Sequence, residues 1–251
     1  MACVRSSVLI SSAYQITFIS FLLGLTPNVV LFASQGFEIG KVVPSYVNFV
    51  AAFCYLAYNF LDNVDGKQAR RTGSSSVLGM IFDHGCDSFM SPMICITVSY
   101  VAQLRIGFTL ALVVGGVVFF MLVQLEGAAL GQMRLARINP VDEGVPLICG
   151  LLFIFGILGN ESFASPLGES GFVLSDLFSV LFLAPSLISF LVEIYKLIHA
   201  QGFLWLLSAM LPMLLHLLIA IPLAIRDGFS NSNLMLACIY FGLISSRMIV
   251  R

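Results

Sequence analysis

An apolar run at residues 44–61 stops at Asp62, and a second at 78–102 takes up around Asp83 and Asp87. Four of the chain's seven aspartates therefore lie between, or just inside, two stretches of bilayer length. A run of about 20 apolar residues crosses ~30 Å of hydrocarbon only as a helix, because no water is present there to satisfy the backbone. The acids come as two pairs, Asp62/Asp65 and Asp83/Asp87. Their i,i+3 and i,i+4 spacings put each pair on one helical face. Carboxylates at the edge of a membrane are costly unless cations neutralise them. Hard divalent metals, which take oxygen ligands, suit that task.

The rest of the chain agrees with a membrane setting. It is 59% hydrophobic and 10% charged, where soluble domains carry about 25% charged residues. Further apolar runs occupy 8–25, 107–125, 146–158, 172–195, 203–225 and 234–250. The segment 28–43 is too short to cross by itself, and Thr26-Pro27-Asn28 before it reads as a helix start. The expectation is an all-α, polytopic transmembrane helix bundle of about seven to eight spans, forming one domain over residues 1–251. Arg5 followed by the first run resembles a signal peptide, but no small-x-small cleavage site follows, so a retained helix is expected.

Lys67, Arg70 and Arg71 follow the first acid pair, which places that end in the cytosol. Asp83 and Asp87 open the next span, so both pairs fall at the same membrane depth. Asn160-Glu161-Ser162 is a glycosylation sequon on the opposite side. The six cysteines are scattered through apolar runs without a C-x-x-C, and read as small buried side chains. A net charge of -1 and the lack of a basic, aromatic-rich stripe give no sign of nucleic acid as a partner.

Residues 62–87 read D-x-x-D-G-x-x-A-R, then eight residues, G, three residues, D, three residues, D. This pattern resembles the signature of the CDP-alcohol phosphotransferases, integral membrane enzymes of phospholipid synthesis. The wording LDNVDGKQARRTGSSS and FDHGCDS is similar to the eukaryotic choline/ethanolamine phosphotransferase branch. The resemblance implies transfer of phosphocholine or phosphoethanolamine from CDP-choline or CDP-ethanolamine to diacylglycerol, forming phosphatidylcholine or phosphatidylethanolamine and CMP. It implies two divalent ions, Mg2+ or Mn2+, with Asp62 and Asp83 touching both and Asp65 and Asp87 each completing one shell. His84 would be the general base that takes the acceptor's proton. Asn28, Gly66, Ala69, Arg70, Gly79 and Glu126 would contact substrate. The setting implied is the endoplasmic reticulum or Golgi bilayer, with the site facing the cytosol and a homodimer among the expected partners.

The chain also departs from the branch. Where the branch reads P-L-G-E-L-F-D-H-G, this chain has Val77-Leu78-Gly79-Met80-Ile81-Phe82-Asp83-His84-Gly85. Met80 thus replaces a glutamate one turn before His84. Methionine offers only a weak sulfur acceptor, so His84 should be a poorer base. Relative to the branch the chain also looks shortened at both ends. The alternative reading is therefore a degenerate, non-catalytic paralogue that binds nucleotide, metal or a partner. A transporter carrying ions on its acids is a third reading. The Gly66–Arg70 surround and the lack of inverted repeats count against it.

Overall fold

The computed structural model describes residues 2–36, 41–130, 144–164 and 172–226. These hold α1 (Ala2–Gln35), α2 (Ser45–Thr72), α3 (Val77–Val101), α4 (Ile106–Leu130), α5 (Gly144–Leu158), a 3₁₀ turn (Asn160–Ala164), α6 (Leu174–Gln201) and α7 (Phe203–Arg226). The span expected at 234–250 lies outside the described residues. Among the described residues, three helices are long and apolar enough to cross a membrane: Tyr14–Gln35, Ile106–Leu130 and Leu174–Gln201. The protein is a membrane helix bundle. α2 and α3 carry more polar groups and lie against α1, α4 and α5, where those groups find partners.

Two boundaries differ from the sequence expectation. The break expected at Thr26-Pro27-Asn28 is absent, and α1 continues through Pro27 to Gln35. Pro27 cannot donate its backbone bond, but Thr26 Oγ1 donates to the carbonyl of Leu22 one turn earlier at 2.9 Å, keeping that turn supplied with hydrogen bonds. Residues 28–35, the first part of the stretch that looked too short to cross, are the last turns of one long helix. Likewise α2 does not give way to a loop after the first acid pair but runs on through Lys67, Arg70 and Arg71. Its 28 residues make a rod of about 42 Å, longer than the hydrocarbon layer, so its last turns can stand at the membrane edge. Asp62, Asp65, Gly66, Ala69 and Arg70 are all helical, and fall at i, i+3, i+4, i+7 and i+8 of one stripe.

What stops α2 is Gly73. Its φ of 65° is left-handed, and its N–H meets the carbonyls of Ala69 and Arg70. This is the glycine cap that costs other residues strain. Arg70 and Arg71 in the last turn complement the helix dipole. Three residues later Ser76 caps α3, accepting the N–H of Gly79 on its hydroxyl at 3.0 Å. The two caps hold the acid-bearing ends of α2 and α3 side by side.

Two apolar cores form among the described residues. One joins α1, α2, α3 and α5 around Leu31, Tyr55, Met90, Met93 and Phe163. The other joins α4, α6 and α7 around Met121, Leu122, Leu197 and Met213. The first core encloses a closed ring of polar groups. Asn28 Nδ2 donates to Tyr55 OH, Tyr55 OH to Thr97 Oγ1 and Thr97 Oγ1 to Asn28 Oδ1, at 3.2, 2.7 and 3.1 Å. With every hydroxyl and amide oxygen partnered, the ring escapes the penalty of buried unpaired groups.

At the end of the bundle away from the aspartates, Asn160 is 1% exposed. Its Nδ2 donates to Val43 O at 2.7 Å and Asn48 Oδ1 at 3.1 Å. Its Oδ1 accepts from Asn48 Nδ2 at 2.6 Å, and Gln103 Nε2 donates to its carbonyl at 2.8 Å. This overturns the sequon reading. A glycan needs an accessible amide nitrogen, and this one is buried and fully engaged. Nearby, Arg105 pairs with the buried Asp176 at 3.0 Å, tying the α3–α4 turn to the start of α6.

Candidate active site

At the end of the bundle where α2 stops and α3 begins, a cavity of about 590 Å³ opens. α1 contributes Tyr14 and Thr17, and α2 contributes Asp65, Gly66, Ala69 and Arg70. The turn contributes Ser74, Ser75 and Ser76, and α3 contributes Val77, Gly79, Met80, Asp83 and His84. Asp62, Asp83 and Asp87 form a cluster whose carboxylate oxygens lie within 4.8 Å of one another. Asp83 belongs to both, linking the acid cluster to the cavity. Its Oδ1 is buried without a hydrogen-bond partner, as is Nδ1 of His84.

The fourth acid is held differently. Asp65 is buried, and its Oδ2 accepts the hydroxyl of Thr17 from α1. Asp87 Oδ1 accepts the hydroxyl of Tyr58 from α2. The donors gathered here are all carboxylate oxygens, the ligand type that magnesium and manganese prefer. An orphaned buried oxygen on Asp83 is what a missing cation would leave, so the residues present fit divalent metal. No other group of three acids, histidines or cysteines among the described residues could hold one.

The motif glycines have clear physical work. A Cβ on Gly66 would lie 3.5 Å from the Arg70 guanidinium, which lies over this bare stretch of helix. The gap leaves the backbone bare beneath a planar cationic fork, a shape that suits phosphate oxygens. At Gly79 a Cβ would come to 3.2 Å from Ser76 Oγ and 3.7 Å from Tyr14 OH. Tyr14 OH and Ser76 Oγ are themselves 3.2 Å apart, closing the cavity across α1 and the turn. Gly79 makes room for that contact.

Not every expected residue comes to the cavity. Asn28 sits in the Tyr55–Thr97 ring, eleven residues from Thr17 on α1, or about 16 Å along the helix. Glu126 is 2% exposed on α4, and its Oε1 lies 3.4 Å from Lys196 of α6, which also pairs with Glu193 at 2.7 Å. Gln124, two residues earlier, approaches His84 instead. Sequence reasoning missed Tyr14, Thr17 and Tyr58. Tyr58 left a signal, since it stands four residues before Asp62 and so on its face. Tyr14 and Thr17 left none, because they reach the site only through the packing of α1.

A family model described as CDP-alcohol phosphatidyltransferase matches residues 11–167. The chain belongs to this family. Choline/ethanolaminephosphotransferase 2 of Arabidopsis thaliana is 31% identical over 231 residues, covering 82% of this chain and 59% of that protein. Cholinephosphotransferase 1 of Homo sapiens is 30% identical over 147 residues, covering 56% and 36%. A Dictyostelium discoideum CDP-alcohol phosphatidyltransferase class-I family protein, numbered 3, is 38% identical over 120 residues, covering 47% and 30%. The chain thus spans between 30% and 59% of the length of these relatives. The matched region of this CDP-alcohol phosphatidyltransferase member runs from α1 through the 3₁₀ turn, so it takes in every element that lines the cavity.

Proposed function

We propose that the chain transfers phosphocholine or phosphoethanolamine from a CDP-alcohol to diacylglycerol, giving phosphatidylcholine or phosphatidylethanolamine and CMP. The observation that carries this reading is the joining, through Asp83, of the Asp62/Asp83/Asp87 cluster to a cavity lined by Gly66, Arg70 and His84. Asp62, Asp65, Asp83 and Asp87 would hold two divalent ions, magnesium or manganese. Bound there, such ions supply charge neutralisation to a diphosphate.

The chain's own residues do the rest. Arg70 presents a planar fork to phosphate oxygens, and the bare backbone at Gly66 lets the diphosphate come close. His84 takes the proton from the acceptor hydroxyl as its oxygen bonds to the phosphorus carrying the alcohol. The bond from that phosphorus to the CMP oxygen breaks, and CMP leaves. Neutral imidazole suits this near pH 7. The basic residues Lys67, Arg70 and Arg71 at this end favour a cytosolic orientation, in an endoplasmic reticulum or Golgi membrane.

One observation favours a second reading, a member with its chemistry disabled. Met80 lines the cavity one turn before His84, where it gives the imidazole no charged partner. Both readings are tested by headgroup transfer with purified protein in lipid micelles, using labelled CDP-choline or CDP-ethanolamine, diacylglycerol and magnesium or manganese. Metal-dependent product that is lost in Asp83→Asn supports the enzyme. Absence of product from the wild type, with product from Met80→Glu, supports the disabled reading, and silence from both overturns the enzymatic one.

A further inference from the structure

We infer that Thr17 and Tyr58, both outside the aspartate motif, are positioning residues that orient Asp65 and Asp87 and bias each toward binding a divalent ion through one oxygen. The inference rests on the reading of the acid cluster as a divalent-metal site.

Both acids that close their pairs carry a hydroxyl from outside the motif. Thr17 Oγ1 donates to Oδ2 of Asp65, from α1 to α2 across 48 residues of sequence. Tyr58 OH donates to Oδ1 of Asp87, from α2 to α3 across 29. Thr17, Tyr58 and Asp65 are each less than a tenth exposed, so water does not compete. Hydroxyl-to-carboxylate bonds in such surroundings are strong and short. Tyr58 lies one turn deeper than Asp62 on the same face of α2, while Thr17 lines the cavity itself. The site is thus braced from its floor and from its open side.

Each bond takes up a lone pair on one carboxylate oxygen. An oxygen that already accepts a strong hydrogen bond is the poorer metal donor, so such a carboxylate is biased toward binding through its other oxygen. Small octahedral ions take carboxylates through one oxygen, whereas calcium readily takes both. The two hydroxyls therefore aim the ligands and also bias the site against larger ions. Partners of this outer kind typically contribute about 10–100-fold in metal affinity.

The plainer account is that these bonds only fasten helices. Ser20 supplies the comparison, because its Oγ donates to the carbonyl of Tyr58 at 3.0 Å, tying the same two helices without touching a carboxylate.

The test is manganese binding to the full chain in detergent micelles, followed by the electron paramagnetic resonance of free manganese, with calcium as competitor. Thr17→Val and Tyr58→Phe should weaken manganese binding by about 10-fold or more and narrow its preference over calcium. Thr17→Ser and Ser20→Ala should bind as the wild type does. Melting in chelator checks that each variant is folded, and if Thr17→Val is not, Tyr58→Phe and its calcium competition decide. Wild-type binding by both Thr17→Val and Tyr58→Phe, or an equal loss in Ser20→Ala, overturns the inference. If the wild type binds no manganese, or Asp83→Asn binds it equally well, the metal reading itself fails and the positioning role falls with it.

Discussion

Met80 and His84 stand one helical turn apart on α3 and both line the same cavity, Met80 with 47% of its surface exposed. Room therefore exists for an acid at 80 to reach the imidazole without repacking. Met80→Glu should raise headgroup transfer by about 10-fold, as restored support for a histidine does in comparable settings. Transfer rates of the two proteins, compared at saturating substrate, check this; an unchanged or lower rate in Met80→Glu counts against His84 as base.

Asp83 is shared by the acid cluster and the cavity, and one of its oxygens is buried without a partner. Asp83→Asn keeps the volume but removes the charge, and should lower transfer by about 100-fold or more, since on the proposed mechanism it removes a metal ligand. Raising manganese should recover little of the loss. Full recovery at high metal would mean that Asp83 contributes affinity alone.

Arg70 lies over the exposed backbone of Gly66. Arg70→Lys keeps the charge but loses the two-pronged fork, so KM for the CDP-alcohol should rise by about 10-fold, close to 1.4 kcal/mol. A smaller change in kcat is expected, because diphosphate binding is made before the reaction begins. A fall confined to kcat would instead place Arg70 on charge that develops only during transfer.

Asn160 serves the fold at the far end. Asn160→Ala strands Asn48 and the Val43 carbonyl, and should cost about 1–3 kcal/mol. Thermal unfolding in micelles measures it. The companion expectation is that glycosidase treatment leaves the mobility of the wild-type protein on a gel unchanged.

Much of this was legible in the residues. Helical spacing alone places Asp83 with Asp87 on one face, and run lengths of bilayer dimension lead directly to a helical bundle. Other features depend on context that no local pattern carries. Pro27 usually marks a boundary, yet α1 passes through it, with Thr26 bonding back to the Leu22 carbonyl in the turn before it. Gly66 and the basic residues after it suggest a loop, yet the helix persists to the cap at Gly73. Asn160 fits a sequon, and only the approach of Asn48 from 112 residues away shows where its amide goes. Thr17 reaches Asp65 by the packing of α1, which has no signature in the spacing of hydroxyl residues.

α1 is fastened at several heights: by Tyr14 to Ser76, by Thr17 to Asp65, by Ser20 to the Tyr58 carbonyl, and by Asn28 to Tyr55 and Thr97. A rod so pinned can neither roll about its axis nor slide along it without breaking a pin. The wall of the cavity that α1 forms is therefore a fixed datum, against which the depth of Asp65 in the membrane is gauged. For the proposed lipid acceptor, the side left to yield is the facing one, where exposed Val77 and Leu78 begin α3.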